Sequence, residues 1–137
     1  MSIKAIVFDA YGTLFDVNSA AEKCKGKIGD RWEAFANFWR TTQLEYTWLR
    51  SLMKRHKNFW QITEDSLDKS MKVFNIDVSL KKELLNLYKI LSPYPEVKKV
   101  LKVLKEKNYK LAILSNGTPT LLKDLVTRNK LDNLFDD

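Results

Sequence analysis

Two short apolar runs bracket a long stretch of helical periodicity. Ile3-Lys4-Ala5-Ile6-Val7-Phe8 is β-branched and almost wholly apolar, the pattern of a strand buried on both faces of a parallel sheet. It ends at Asp9, and Tyr11-Gly12-Thr13 reads as a loop. From about Ser19 to Leu91 there is no proline and no glycine after Gly29. Trp32, Phe35, Trp39, Leu44, Trp48, Leu49, Leu52 and Met53 recur at helical spacings between Asp30 and His56. A second helix is predicted over 62–74, with Leu67, Met71 and Phe74 on one face. A third is predicted to start after Ser79 as N-cap and to carry Leu80, Leu84, Leu87 and Leu91.

Ser92-Pro93-Tyr94-Pro95 ends this block, because proline cannot continue a helix and restricts the residue before it. Pro95 suits the first position of a new helix, whose apolar stripe is Val97, Val100, Leu101 and Leu104 and which stops at Asn108. Lys110-Leu111-Ala112-Ile113-Leu114 is a second buried-type strand, ending at Ser115-Asn116-Gly117. Thr118 and Pro119 then read as N-cap and first turn of a last helix, with Leu121, Leu122, Leu125 and Val126 inward. Strands separated by helices predict an α/β fold with a parallel sheet.

In such sheets ligands bind beyond the carboxyl ends of the strands. Two polar clusters stand there: Asp9 with Tyr11-Gly12-Thr13, and Ser115 with Asn116-Gly117. A carboxylate at a strand end can act as a nucleophile, splitting one hard substitution into two easier steps through an ester. The hydroxyls of Thr13 and Ser115 would orient it, and Gly12 and Gly117 permit the tight backbone that brings donors close. The bland alternative is a capped strand end and an ordinary turn; two clusters at matching strand ends make it the weaker reading.

Composition adds limits rather than a function. The chain has 137 residues, 45% apolar and 30% charged, with seven Phe, five Tyr and four Trp, which suits one globular domain rather than a disordered tail or a membrane protein. A formal charge of +7, from 24 Lys and Arg against 17 Asp and Glu, mostly describes a lysine-coated surface. The lysines of 98–110 do not alternate with aromatics on one face, so nucleic-acid binding is not expected. The single cysteine, Cys24, cannot form an internal disulfide and suits a reducing, cytoplasmic compartment; a quiet thiol is the expected role. Neither a secretory signal nor a run of membrane-spanning length is present in the sequence. His56 is expected on the surface, and the four tryptophans in helix packing.

Phe8-Asp9-Ala10-Tyr11-Gly12-Thr13-Leu14-Phe15-Asp16 resembles the first motif of the haloacid dehalogenase superfamily, and Leu111-Ala112-Ile113-Leu114-Ser115-Asn116-Gly117 resembles its second. The L-2-haloacid dehalogenase branch is the nearest resemblance. Tyr11 stands where the superfamily's phosphatases carry a second aspartate, and Phe38-Trp39-Arg40 with Gln43-Leu44-Glu45-Tyr46-Thr47-Trp48-Leu49-Arg50-Ser51 is similar to that branch's cap segment. The fold implied is a partial Rossmann-like core, residues 1–15 and 92–137, with residues 16–91 inserted as a helical cap.

The resemblance implies hydrolysis of the carbon–halogen bond of small L-2-haloalkanoates. Asp9 would be the nucleophile, Thr13 and Ser115 would position it, and Arg40 and Asn116 would stabilise the departing halide, since both offer N–H donors to developing negative charge. Ala10, Tyr11, Ser115 and Asn116 would hold the substrate carboxylate and alkyl group, with Arg40, and Leu44 and Phe59 would line its apolar side. No metal and no cofactor are implied, because Tyr11 replaces an acidic residue that would help hold magnesium. A homodimer through the cap helices, involving Trp39 and Trp48, is also implied. The family pattern continues past Asp137 with a third strand, an essential lysine and a strand ending in serine, asparagine and aspartate. The chain is therefore expected to be C-terminally truncated, incomplete or inactive alone, or dependent on a complementing C-terminal fragment. The rival expectations are a non-catalytic interaction remnant and a hydrolase of the same superfamily acting on another small substrate.

Overall fold

A computed structural model describes residues 3–137. The chain is α/β, and it divides into two compact units, Met1–Asp16 with Ile90–Asp137, and Val17–Lys89.

In the first unit, β1 (Ala5–Phe8) pairs in parallel with β2 (Lys110–Ile113), Ala5 opposite Lys110 and Phe8 opposite Ile113. The ladder is closed at its ends by Lys110 N–H to Lys4 C=O at 3.0 Å and Leu114 N–H to Phe8 C=O at 2.9 Å. Residues 136–137 return along the far edge of β2: Asp136 N–H donates to Leu111 C=O at 2.7 Å and Ile113 N–H donates to Asp137 C=O at 3.0 Å. No strand among the described residues pairs with the other edge of β1. The amphipathic helix α6 of this unit, Val97–Glu106, packs on β2 and buries Val97 and Leu101. It starts at Val97, two residues after Pro95, because Val97 N–H closes a turn onto Tyr94 C=O at 3.1 Å. It ends as its sequence predicts, with Asn108 in the left-handed region and Tyr109 N–H on Leu104 C=O. α7 (Pro119–Arg128) starts as predicted, with the Thr118 side chain capping Leu121 N–H and proline in the first turn.

The strands are not covered on both faces. Val7 is 57% exposed and Leu114 76% exposed, while Leu111 on the opposite side is fully buried. An apolar run fits burial on two faces, but among the described residues one face of this sheet lies open.

The second unit is helical: α1 (Ser19–Lys23), α2 (Lys25–Ile28), α3 (Trp32–Leu52), α4 (Phe59–Phe74), a short 3₁₀ turn (Val78–Leu80) and α5 (Lys81–Tyr88). α3 and α4 pack along their length, burying Phe35, Ala36 and Trp39 of one and Ile62, Leu67 and Met71 of the other. α4 begins at Phe59 rather than Ile62, because the Asn58 side chain accepts from Gln61 N–H at 2.9 Å and adds a turn. The cap before α5 is Asp77, whose carboxylate accepts from Ser79 N–H at 2.8 Å; Ser79 itself lies within the 3₁₀ turn. α5 stops at Tyr88, so Leu91 belongs to the other unit. Trp39 is buried, its indole N–H on Thr63 C=O at 3.1 Å, and so cannot line a dimer surface; Trp48 is exposed. His56 is exposed and Cys24 is buried, where burial and the neighbouring Glu83 push its thiol pKa up. No helix among the described residues is long and apolar enough to cross a membrane.

Candidate active site

The site residues of the α/β unit gather where β1 and β2 end. Leu114 N–H on Phe8 C=O carries the ladder to its last rung, so Asp9 and Ser115 leave the sheet side by side. After Asp9 the chain turns tightly: Leu14 N–H and Phe15 N–H both donate to Ala10 C=O, at 2.9 and 3.0 Å, and Gly12 N–H donates to Phe15 C=O at 2.9 Å. Gly12 sits at φ +94°, which a side chain would strain. The turn carries Thr13 back toward Asp9, and its hydroxyl donates to Asp9 Oδ2 at 3.4 Å, the long end of hydrogen bonding. Asp9, Thr13 and Asn116 are exposed, while Ala10 and Tyr11 are buried beneath them.

The second loop meets the first at Tyr11. A Cβ on Gly117 would lie 2.7 Å from Tyr11 Cε2, so glycine is required by the packed ring rather than by its own dihedral angle. Gly117 N–H donates to Ser115 Oγ at 3.2 Å, closing a local turn just after β2. Asp9, Ala10, Tyr11, Thr13, Ser115 and Asn116 thus lie at the paired strand ends and bring a carboxylate, three hydroxyls and an amide to one end of the sheet.

Arg40, Leu44 and Phe59 belong to the helical unit. Arg40 is half-buried on α3, and its Nη1 donates to Gln43 Oε1 at 2.8 Å. Leu44, four residues on, shares its helix face. Phe59 opens α4 and is buried, its carbonyl accepting the Thr63 hydroxyl at 2.8 Å. The sequence reading missed what lies behind Arg40. Gln43 Nε2 donates to Thr63 Oγ1 at 2.6 Å and to the Tyr88 hydroxyl at 3.0 Å, and all three side chains are buried. Burial pushes the Tyr88 hydroxyl pKa up to about 12, against the opposing pull of Arg40. A glutamine three residues after the candidate arginine, on the inward side of a helix, was the available signal. Among the described residues no three His, Cys, Asp or Glu side chains converge closely enough to hold a metal ion.

The family model for haloacid dehalogenase-like hydrolases matches residues 3–137. The chain belongs to that family. Among its relatives, (S)-2-haloacid dehalogenase 4A of Burkholderia cepacia is 41% identical over 98% of this chain and 59% of its own length. The (S)-2-haloacid dehalogenase of Pseudomonas sp. strain YL is 43% identical over the same shares. The crystal structure of the Xanthobacter autotrophicus L-2-haloacid dehalogenase with chloropropionic acid covalently bound superposes with a TM-score of 0.87 at 41% identity, over 98% of this chain and 55% of that one. A further dehalogenase crystal structure reaches a TM-score of 0.94 over 98% and 61%. This member of the family spans about three fifths of the length of the curated relatives it matches.

Proposed function

We propose that this chain carries the nucleophile and the halide-holding groups of an (S)-2-haloacid dehalogenase. The Asp9 carboxylate attacks C2 of an L-2-haloalkanoate opposite the halogen; the carbon–halogen bond breaks as the ester bond forms. Arg40 and Asn116 donate N–H groups to the leaving halide. Ala10, Tyr11, Ser115 and Asn116 hold the substrate carboxylate, Thr13 and Ser115 orient Asp9, and Leu44 and Phe59 take the alkyl side. Water then opens the ester, returning the Asp9 carboxylate and releasing a D-2-hydroxy acid. The observation that carries this reading is the cluster at the paired strand ends, with Thr13 on Asp9 and Ser115 beside it, in a chain about two fifths identical to (S)-2-haloacid dehalogenases.

Residues that the resemblance implies for opening the ester have no counterpart among these 137. The expected result is therefore an ester without sustained turnover. Incubating the 137-residue chain with 2-chloropropionate should add the propionate mass to the peptide holding Asp9, and Asp9→Asn should abolish the adduct. No adduct, or the same adduct in Asp9→Asn, would sink the assignment; steady chloride release that Asp9→Asn removes would overturn the expectation of a single turnover.

Partners follow from two open surfaces. The apolar stripe of Trp48, Leu49, Leu52 and Met53 at the end of α3 is exposed and supports a homodimer through the helical unit, the cap of the family resemblance. The unpaired edge of β1 is the place for a complementing strand, since residues 136–137 already hold the edge of β2. The same surfaces would serve the rival reading, an interaction fragment without chemistry. A hydrolase acting on another small substrate is disfavoured by Tyr11 in place of a second acid. The buried, unpaired Cys24 supports a reducing, cytoplasmic setting.

A further inference from the structure

We propose that Gln43 is a positioning residue that fixes the direction of the Arg40 guanidinium while leaving its charge intact; this rests on the reading of Arg40 as the halide acceptor. The Thr63 hydroxyl has one proton, and it is committed to Phe59 C=O at 2.8 Å. Only lone pairs of Thr63 Oγ1 are left to face Gln43, so the group 2.6 Å away must be a donor, Nε2. That sets the amide. Oε1 then points at Arg40 Nη1, 2.8 Å away. The flipped amide would set its NH₂ against the guanidinium N–H groups and its carbonyl against the Thr63 lone pairs, two repulsions in place of two hydrogen bonds.

The Tyr88 hydroxyl also hydrogen-bonds to Arg40, so Gln43 aligns the guanidinium directly and through the tyrosine it holds. The space among Val17, Ala36, Trp39, Arg40, Gln43 and Tyr88 is too tight for a water. The Tyr88 hydroxyl lies 3.0 Å from Nε2 and 3.2 Å from Oε1, and Trp39, hydrogen-bonded to Thr63 C=O, stacks obliquely on the Tyr88 ring at 5.2 Å. The choice of amide over carboxylate has a chemical reason. Glutamate at position 43 would orient Arg40 equally well but would neutralise it, whereas a neutral acceptor aligns the guanidinium and leaves its full charge for an anion.

The test uses the isotope-labelled 137-residue chain and chloride as the probe. In the unsubstituted chain the Arg40 side-chain N–H signals should be separate, as for a held guanidinium, and the chloride resonance should broaden. Gln43→Met keeps the volume and removes both the amide acceptor of Arg40 and the amide that holds the Tyr88 hydroxyl; it should average the Arg40 signals and weaken chloride binding about tenfold, the loss of one hydrogen bond to a charged group. Gln43→Glu, should the first variant fail to fold, supplies a pH profile that a merely structural role would not: chloride binding absent where the glutamate is ionised and restored as it protonates. Separate Arg40 signals and unchanged chloride binding in Gln43→Met, or pH-independent binding in Gln43→Glu, would overturn the proposal. Arg40→Met separates the two readings. If it leaves chloride broadening unchanged, the halide assignment of Arg40 falls, and the Arg40 signals alone decide the role of Gln43.

Discussion

Behind Arg40, the polar side chains Gln43, Thr63 and Tyr88 lie inside the helical unit with directed partners, at 2.6 to 3.2 Å. Around Asp9, the polar side chains lie in the open, and the Thr13 contact is 3.4 Å long. The contrast extends to the scaffolds. α3 and α4 cover each other over most of their length, whereas one edge of β1 has no partner strand among the described residues and residues 136–137 lie along the edge of β2. A preorganised electrostatic site needs rigid support, and in the role proposed for Arg40 the buried Gln43, Thr63 and Tyr88 would supply it. Among the described residues the α/β unit leaves one strand edge and an apolar sheet face uncovered, where pairing and self-association would be expected.

This contrast predicts uneven stability, and the largest test of it is in the helical core. Leu67 is fully buried on α4, so Leu67→Ala should cost about 2–5 kcal/mol. Hydrogen exchange should show the loss throughout α3 and α4 while amides of β1 and β2 change little. Equal acceleration in both units would mean that they unfold as one and would break the comparison.

Gly117→Ala probes the α/β unit at its tightest point. The new Cβ would meet the Tyr11 ring at 2.7 Å and the Leu122 side chain at 3.1 Å. Leucine can rotate away, but the buried ring must shift, and overpacking of this kind costs about 1–3 kcal/mol. The expected readouts are faster exchange at β1 and β2 and a lower yield of the Asp9 adduct. An unchanged adduct yield would show that Tyr11 and Gly117 do not set the nucleophile loop. Asn58→Ala should cost less, about 1 kcal/mol, confined to the first turn of α4.

These sites also mark how far the sequence could be read. The two strands, their order and the polar clusters at their ends were visible, because apolar runs ending at Asp9 and at Ser115-Asn116-Gly117 carry their own punctuation. The caps were only partly visible: Thr118 with Pro119 is a local signal, but choosing Asp77 over Ser79 needs the backbone direction. The Gln43 network was hidden, because its partners lie 20 and 45 residues away and come together only through packing of α3, α4 and α5. Exposure of one sheet face was hidden for the opposite reason. Composition shows that a strand is apolar, and not whether these residues supply a cover for it.

The terminus gives a pH test of the α/β unit. Lys105, the Leu111 N–H and Lys110 hold the Asp136 carboxyl well below its usual 3.8. A depressed folded pKa contributes stability that is present above the unfolded value and is lost as pH falls through the folded one. The hold of residues 136–137 on β2 should therefore begin to weaken below about pH 4 and be lost only at pH well below that. Asp136→Asn should remove this pH dependence and loosen the β2 edge at neutral pH. An acid profile unchanged by Asp136→Asn would place the acid-sensitive contacts elsewhere.

The smallest effect is expected on the open sheet face. Val7 is 57% exposed, so Val7→Thr removes little burial and keeps the β-branched shape that suits a strand. Stability should change by no more than about 0.5 kcal/mol. Self-association should fall, because a hydroxyl then interrupts the apolar face that continues to Leu114. Sedimentation across a concentration series separates these quantities. A stability loss above about 2 kcal/mol would mean that Val7 is covered in solution, as expected of a core position. Unchanged association together with unchanged stability would move the sticky surface to the end of α3, where Trp48, Leu49, Leu52 and Met53 lie exposed, and Leu52→Lys would then be the variant that disperses the chain.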